Sequence, residues 1–138
     1  MAWVKDLYRD EIRSGFLVTA HRKRIWEIEL NMLAELERIC DKYGLRCFAA
    51  WGTLLGAVRH GGFVPWDDDI DLTMMRPDYE RLKEVAPQEL PEPYFFQTAY
   101  TDGALFGIAR LRNSATMAML PNINYFNQGI FIDIHPLD

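Results

Sequence analysis

The chain has 138 residues, a size that supports one domain with a core of its own but not two. Hydrophobic residues make up 49% and charged residues 25%, ordinary for a soluble globular protein, and a net charge of −5 argues against a nucleic-acid-binding surface. No apolar run reaches the roughly 18 residues of a membrane span, and the opening M-A-W-V-K-D-L-Y-R-D has no apolar signal region. A cytoplasmic location is therefore expected, with room for peripheral contact at the inner face of the membrane. The one basic patch, His21-Arg22-Lys23-Arg24, reads as a solvated helix turn. Cys40 and Cys47 lack C-x-x-C spacing and read as two reduced thiols, not as a disulfide or zinc site.

Residues 16 to 43 carry a helical period. Ile25, Ile28, Met32, Leu36, Ile39 and Tyr43 recur every three or four positions, Leu33 and Cys40 widen the stripe, and Gly44 is placed to end it. L-R-C-F-A-A-W is a short strand candidate that runs into G-T-L-L-G-A-V-R-H, a turn entering a helix. H-G-G-F-V-P-W-D-D is a loop, and D-I-D-L-T-M alternates as a strand does. Arg76 to Ala86 is a helix candidate with Pro77 in its first turn. Three strand-like runs follow, Y-F-F-Q-T-A, F-G-I-A-R-L-R and A-T-M-A-M-L. An asparagine-rich loop then precedes the last strand, I-F-I-D-I-H-P. This order predicts an α/β or α+β domain, a mixed sheet flanked by helices. The whole chain, 1–138, reads as a single domain, with an N-terminal helical segment of about residues 1–44 and a catalytic core of about 45–138. It stops at Asp138, directly after a strand, which predicts truncation from a longer protein.

The chemistry centres on W-D-D-D-I-D, residues 66 to 71. As a strand, Asp69, Asp71 and Thr73 would share one face and Ile70, Leu72 and Met74 the other. Two carboxylates about 7 Å apart along a strand can reach one divalent cation or a close pair, and hard oxygen ligands suit Mg²⁺ or Mn²⁺. Asp67 and Asp68 would lie at the loop junction as supports. An EF-hand fails, because position 6 would be Leu72 and not Gly, and position 12 would be Asp78 and not Glu. In the last strand Ile130, Ile132 and Ile134 form one face and Phe131, Asp133 and His135 the other. If it lies beside the first strand, Asp133 completes a three-carboxylate site. Gly52-Thr53, at a strand-to-helix turn, is a phosphate cradle candidate. Each feature alone has a plain structural reading, as a solvated turn or a strand-end acid. Together and in this order they point to metal-assisted phosphoryl or nucleotidyl transfer.

The stretch G-T-L-L-G-A-V-R-H-G-G-F-V-P-W-D-D-D-I-D-L resembles the core motif of the LicD family, which includes bacterial phosphocholine transferases and the fukutin-related proteins. W-E-I-E-L-N-M-L-A-E-L-E-R-I-C-D-K-Y-G, A-R-L-R-N-S-A-T and G-I-F-I-D-I-H-P-L-D extend the resemblance over most of the chain from about Ile25. The resemblance implies a nucleotidyltransferase-like fold. It also implies transfer of a substituted phosphate, phosphocholine or a polyol phosphate, from a CDP-linked donor such as CDP-choline to a hydroxyl of a glycan or lipid-linked saccharide, with CMP leaving. Asp69 and Asp71 would then be the paired Mg²⁺ or Mn²⁺ ligands and Asp133 the third acid, with Gly52 and Thr53 at the superfamily's phosphate turn. Asp133 would also orient or deprotonate the acceptor hydroxyl. Arg59 and His60 are candidates to hold phosphate oxygens, with a surface salt bridge as the plain alternative. Arg110 and Arg112, alternating onto one strand face, are candidates to balance the acids or grip the donor. Trp66 and Phe63 either stack on a ring or a choline head or wedge the loop into the core. The competing functions are an NTP-using nucleotidyltransferase and a degenerate, non-catalytic binding module.

Overall fold

A computed structural model describes residues 9–101, 103, 107–117 and 128–138. Its first element is a hairpin, β1 (Glu11–Arg13) and β2 (Phe16–Val18), paired antiparallel with Arg13 opposite Phe16. The two-residue turn, Ser14 and Gly15, has φ of 50° and 75°, the positive values a tight primed turn demands. The helical reading of residues 16–18 is therefore corrected: apolar Phe16, Leu17 and Val18 continue the stripe of the following helix in sequence, but the turn pulls them into a strand. Lys23, almost fully buried, ties the hairpin to the next helix through Glu11, 3.1 Å away.

Helix α1 (Ala20–Tyr43) starts where the Thr19 side chain accepts the Arg22 N–H, and it ends at Gly44 in the left-handed conformation. Its apolar stripe, Met32, Leu36 and Ile39, lies on the sheet. Then come β3 (Phe48–Ala49), α2 (Trp51–Arg59), β4 (Asp71–Met75), α3 (Arg76–Glu89), β5 (Tyr94–Gln97), β6 (Ala109–Asn113) and β7 (Ile130–Leu137). α3 runs three residues past the expected Ala86, carrying Pro87 in its last turn. Of the strand expected over A-T-M-A-M-L, residues 118–120 lie outside the described residues, as does most of the asparagine-rich loop.

The five-stranded sheet has the order β3-β4-β7-β6-β5. β4 and β7 are parallel and the other three pairs antiparallel, so the sheet is mixed, as expected. Alternation sorts the side chains. Leu72 and Met74 of β4, Ile132 and Ile134 of β7, and Leu111 of β6 enter one buried core with α1 and with Leu82 and Val85 of α3. Burying such a side chain contributes roughly 1.5–3 kcal/mol. The opposite face of β4 and β7 carries Asp71, Thr73, Asp133 and His135. No described helix is long and apolar enough to cross a membrane.

Candidate active site

The central strands supply the geometry. Asp71 and Asp133 are direct partners in the β4–β7 register, and Thr73 faces His135. The Asp133 N–H donates to the Ile70 carbonyl at 3.0 Å, which locks the register at the end of the sheet where both strands begin. Ligand atoms of Asp71, Asp133 and His135 lie within 4.8 Å of one another, with His135 Nε2 3.2 Å from Asp71 Oδ1. On the far side, Arg110 Nε donates to Asp133 Oδ1 at 2.8 Å. Burial pushes the Asp133 carboxyl above its ordinary range, opposed by this guanidinium.

Asp69 stands apart from this pair. β4 begins at Asp71, so Asp69 belongs to the preceding loop, where its carboxylate lies within 4.8 Å of those of Asp67 and Asp68. Asp67 accepts the Asp68 N–H at 3.3 Å, Arg22 approaches Asp68 at 3.7 Å, and the Trp26 indole N–H donates to the Asp67 carbonyl at 2.8 Å. Asp69 reaches solvent, yet desolvation pushes its carboxyl up to about 6, reinforced by Asp68, Asp67, Asp71 and Asp133. It therefore feels the strand pair without standing among its ligand atoms.

Thr53 joins α2 to this acidic segment. Its hydroxyl oxygen accepts the Asp71 N–H at 2.8 Å and lies 3.4 Å from the Asp69 carbonyl. The Thr53 N–H is itself spent on the Ala50 carbonyl at 3.1 Å. A Cβ on Gly52 would come within 3.2 Å of Asp67 Oδ2, so glycine here makes room for the acidic loop. Gly56 is tighter still: a Cβ would meet the Gly62 carbonyl at 2.3 Å and the Val64 nitrogen at 2.9 Å. That contact seats the loop leading to the acids.

The remaining expected residues scatter. Arg59 is exposed on the last turn of α2. His60 sits edge-on to Trp66, centroids 5.9 Å apart, and its Nε2 is buried without a hydrogen-bond partner among the described residues. Arg112 is 1% exposed and donates to Gln97 at 2.5 Å and to the Gly129 carbonyl at 2.7 Å, while Arg110 reaches the acids. The two guanidiniums share the Phe131 ring, at 4.5 and 4.2 Å. Phe63 stacks on Trp26 with the rings parallel and 4.8 Å apart, which makes it the loop's wedge, while Trp66 is exposed.

Three residues of this region were assigned no role from sequence. His135 follows Asp133 by two on the same strand face, a signal present in I-D-I-H. Trp51 opens α2 with φ of 46°, rare for a non-glycine residue; it is 61% exposed, with its ring 4.6 Å from His135. Glu29 is 2% exposed, and its Oε2 has no hydrogen-bond partner among the described residues. Burial, then Asp68, Asp69 and Asp67, push its carboxyl up to about 9. A charged residue inside an otherwise apolar helical stripe was its only sequence signal.

Residues 44–136, which hold Gly52, both acidic groups and all of β7 but its last residue, match the family model described as LicD/FKTN/FKRP, nucleotidyltransferase domain. The chain belongs to this family. The lipopolysaccharide cholinephosphotransferase LicD of Haemophilus influenzae is 46% identical over 70 residues, 51% of this chain and 26% of the relative. Human ribitol 5-phosphate transferase FKRP is 35% identical over 51 residues, 37% of this chain and 10% of that protein. An uncharacterised Caenorhabditis elegans protein is 28% identical over 96% of this chain and 36% of its own length. This LicD-family chain thus spans about a quarter of the Haemophilus relative and a tenth of the human one.

Proposed function

We propose that the chain is a metal-dependent transferase that moves a substituted phosphate, phosphocholine or a polyol phosphate, from a CDP-linked donor to a glycan hydroxyl, releasing CMP. The observation that carries this reading is the register of Asp71 opposite Asp133 on adjacent parallel strands, with His135 beside them. Membership of a family with named cholinephosphotransferase and ribitol-phosphate transferase members supplies the reaction class.

The donor set fits Mg²⁺ or Mn²⁺: two half-buried carboxylates and an imidazole converge within 4.8 Å, and a second, all-carboxylate group adjoins them. Asp71 and Asp133 would hold the ion, with Asp69 and His135 in support. Bound there, it would supply charge neutralisation for the donor pyrophosphate and the leaving CMP. The protein's own residues do the rest. Arg110 fixes the Asp133 carboxylate and faces the same site as a second positive charge. Asp133 orients the acceptor hydroxyl and takes its proton as the new O–P bond forms and the P–O bond to CMP breaks. Trp51, exposed beside His135 in a strained conformation, offers a face on which a nucleobase stacks. Thr53 holds β4 at the start of the acid run.

The test pairs binding with turnover. Mg²⁺ or Mn²⁺ should raise the melting temperature of the parent and leave Asp71→Asn unmoved; an equal response in both would sink the metal assignment. CDP-choline or CDP-ribitol should be consumed with CMP appearing. Use of CTP or ATP with CDP-linked donors ignored would make the chain a nucleotidyltransferase of nucleoside triphosphates instead.

A further inference from the structure

Beside the acid pair lies a cavity of about 240 Å³, at the end of the sheet where β4 and β7 begin. Its apolar walls are Ile25 of α1, Met117, and Ile130 and Phe131 of β7, and His21 of α1 also lines it. Its acids are Glu29, Asp68 and Asp69. Glu29 is the unusual one. It is 2% exposed, and its Oε2 has no hydrogen-bond partner among the described residues. Burial makes its ionised form costly and keeps the carboxyl protonated until a cation arrives to hold the charge.

The cation is constrained by the surroundings. Glu29 belongs to neither group of acids whose ligand atoms converge within 4.8 Å, so it is not set to share a metal ion with them. Asp68 and Asp69 line the same cavity, but their ligand atoms converge with those of Asp67 and not with Glu29, whose other neighbours there are hydrocarbon, an imidazole and an aromatic ring. Methyl groups on a nitrogen, however, suit such walls, and a delocalised positive charge suits a carboxylate beside an aromatic ring. We propose that this cavity is the subsite for the organic ammonium head of the transferred group, with Glu29 as its counter-charge. The chain is then selective for a choline-type donor over a neutral polyol donor. The inference rests on the reading of the chain as a CDP-linked transferase and deepens it. The two kinds of donor differ by a full charge at this place, and a neutral polyol would leave Glu29 unanswered while setting its own hydroxyls against apolar walls.

Calorimetric titrations in Mg²⁺ with CDP, CDP-choline, CDP-ribitol and free choline test it. The parent should bind CDP-choline at least about tenfold more tightly than CDP-ribitol. Glu29→Gln replaces a carboxyl that keeps its proton in the empty cavity by a neutral amide of similar size, so it should fold about as well as the parent. It should erase the preference while leaving CDP affinity unchanged. Ile25→Lys, placing a competing cation in a half-exposed wall, should weaken CDP-choline and free choline but not CDP-ribitol. Equal affinity for the two donors in the parent, or a preference that survives Glu29→Gln, overturns the subsite. Failure of CDP itself to bind overturns the transferase reading. In that case free choline still decides the subsite, since its binding to the parent and loss in Glu29→Gln support it and its absence rejects it.

Discussion

Two acidic groups lie side by side here and are held in different ways. Asp71 and Asp133 sit on strands, fixed by a ladder of backbone hydrogen bonds and met by Arg110 at 2.8 Å and His135 at 3.2 Å. Asp67, Asp68 and Asp69 sit on a loop, fixed by one indole N–H, a glycine contact and a long pairing to Arg22, and Glu29 adds a fourth carboxylate from α1. The first group is pre-organised by the fold and largely compensated. The second crowds acids into a partly desolvated space, which pushes the carboxyls of Asp69 and Glu29 up to about 6 and about 9, so that they hold protons that ordinary acids release. The contrast separates acids held by the sheet ladder from acids held by a loop and a helix.

The sharpest way to break the contrast is to remove one strand acid. Asp71→Asn should lower kcat/KM on the order of a thousandfold or more in a CMP-release assay, with the fold retained, because the lost charge acts on the transition state. Gly56→Ala attacks the loop group instead. Its methyl would collide with the Gly62 carbonyl and the Val64 nitrogen, both backbone, so a loss of roughly 2–4 kcal/mol in urea unfolding is expected. Thr53→Val takes away the acceptor of the Asp71 N–H and should cost about 1–2 kcal/mol, together with a fall in activity.

A pH series sharpens the comparison further. Glu29 and Asp69 have carboxyls raised above the ordinary 4.5 and 3.8, so the folded state holds protons that the unfolded chain has already released. Stability in metal-free buffer should therefore fall as pH rises, between about 4 and 6 for Asp69 and from about 4.5 up to about 9 for Glu29. In Glu29→Gln the fall above pH 6 should largely vanish, checked by urea midpoints at each pH. The smallest effect should come from Asp68→Asn. Its ion pair is half exposed at 3.7 Å, so the change should stay below about 0.5 kcal/mol; a larger loss would mean that the loop group is as rigid as the strand group.

What the sequence made legible follows the same division. Alternation in D-I-D-L-T-M and I-F-I-D-I-H-P placed Asp71 and Asp133 on polar strand faces, because a period of two is a local property that no tertiary contact needs to confirm. α1 was readable from its own local period, and the mixed sheet was expected from the order of helices and strands. The parallel pairing of β4 with β7 was only a conditional expectation, since nothing local sets a register between segments so far apart. Asp69 looked like strand because the alternation continues through it; the ladder in fact starts only where Thr53 and Ile70 supply partners. The hairpin at 11–18 hid behind apolar residues in phase with α1, although Ser14-Gly15 marked its turn. Glu29 was invisible because a helical stripe is read from its apolar members, and its environment comes from a loop about forty residues away in sequence.

The β4–β7 register also bears on the order in which the molecule comes into being. Asp71 and His135, in contact in the finished fold, are 64 residues apart along the chain. As the polypeptide leaves the ribosome, β4, α3, β5 and β6 are all made before Asp133 exists, and until β7 inserts between β4 and β6 there is no acid pair. Among the described strands the central one, β7, is the last in chain order, and its docking closes contacts of large sequence separation, the slow step for such topologies. Any cation that prefers the paired acids binds only the completed sheet. It therefore acts as a thermodynamic latch on that final insertion, its grip growing with the logarithm of its concentration.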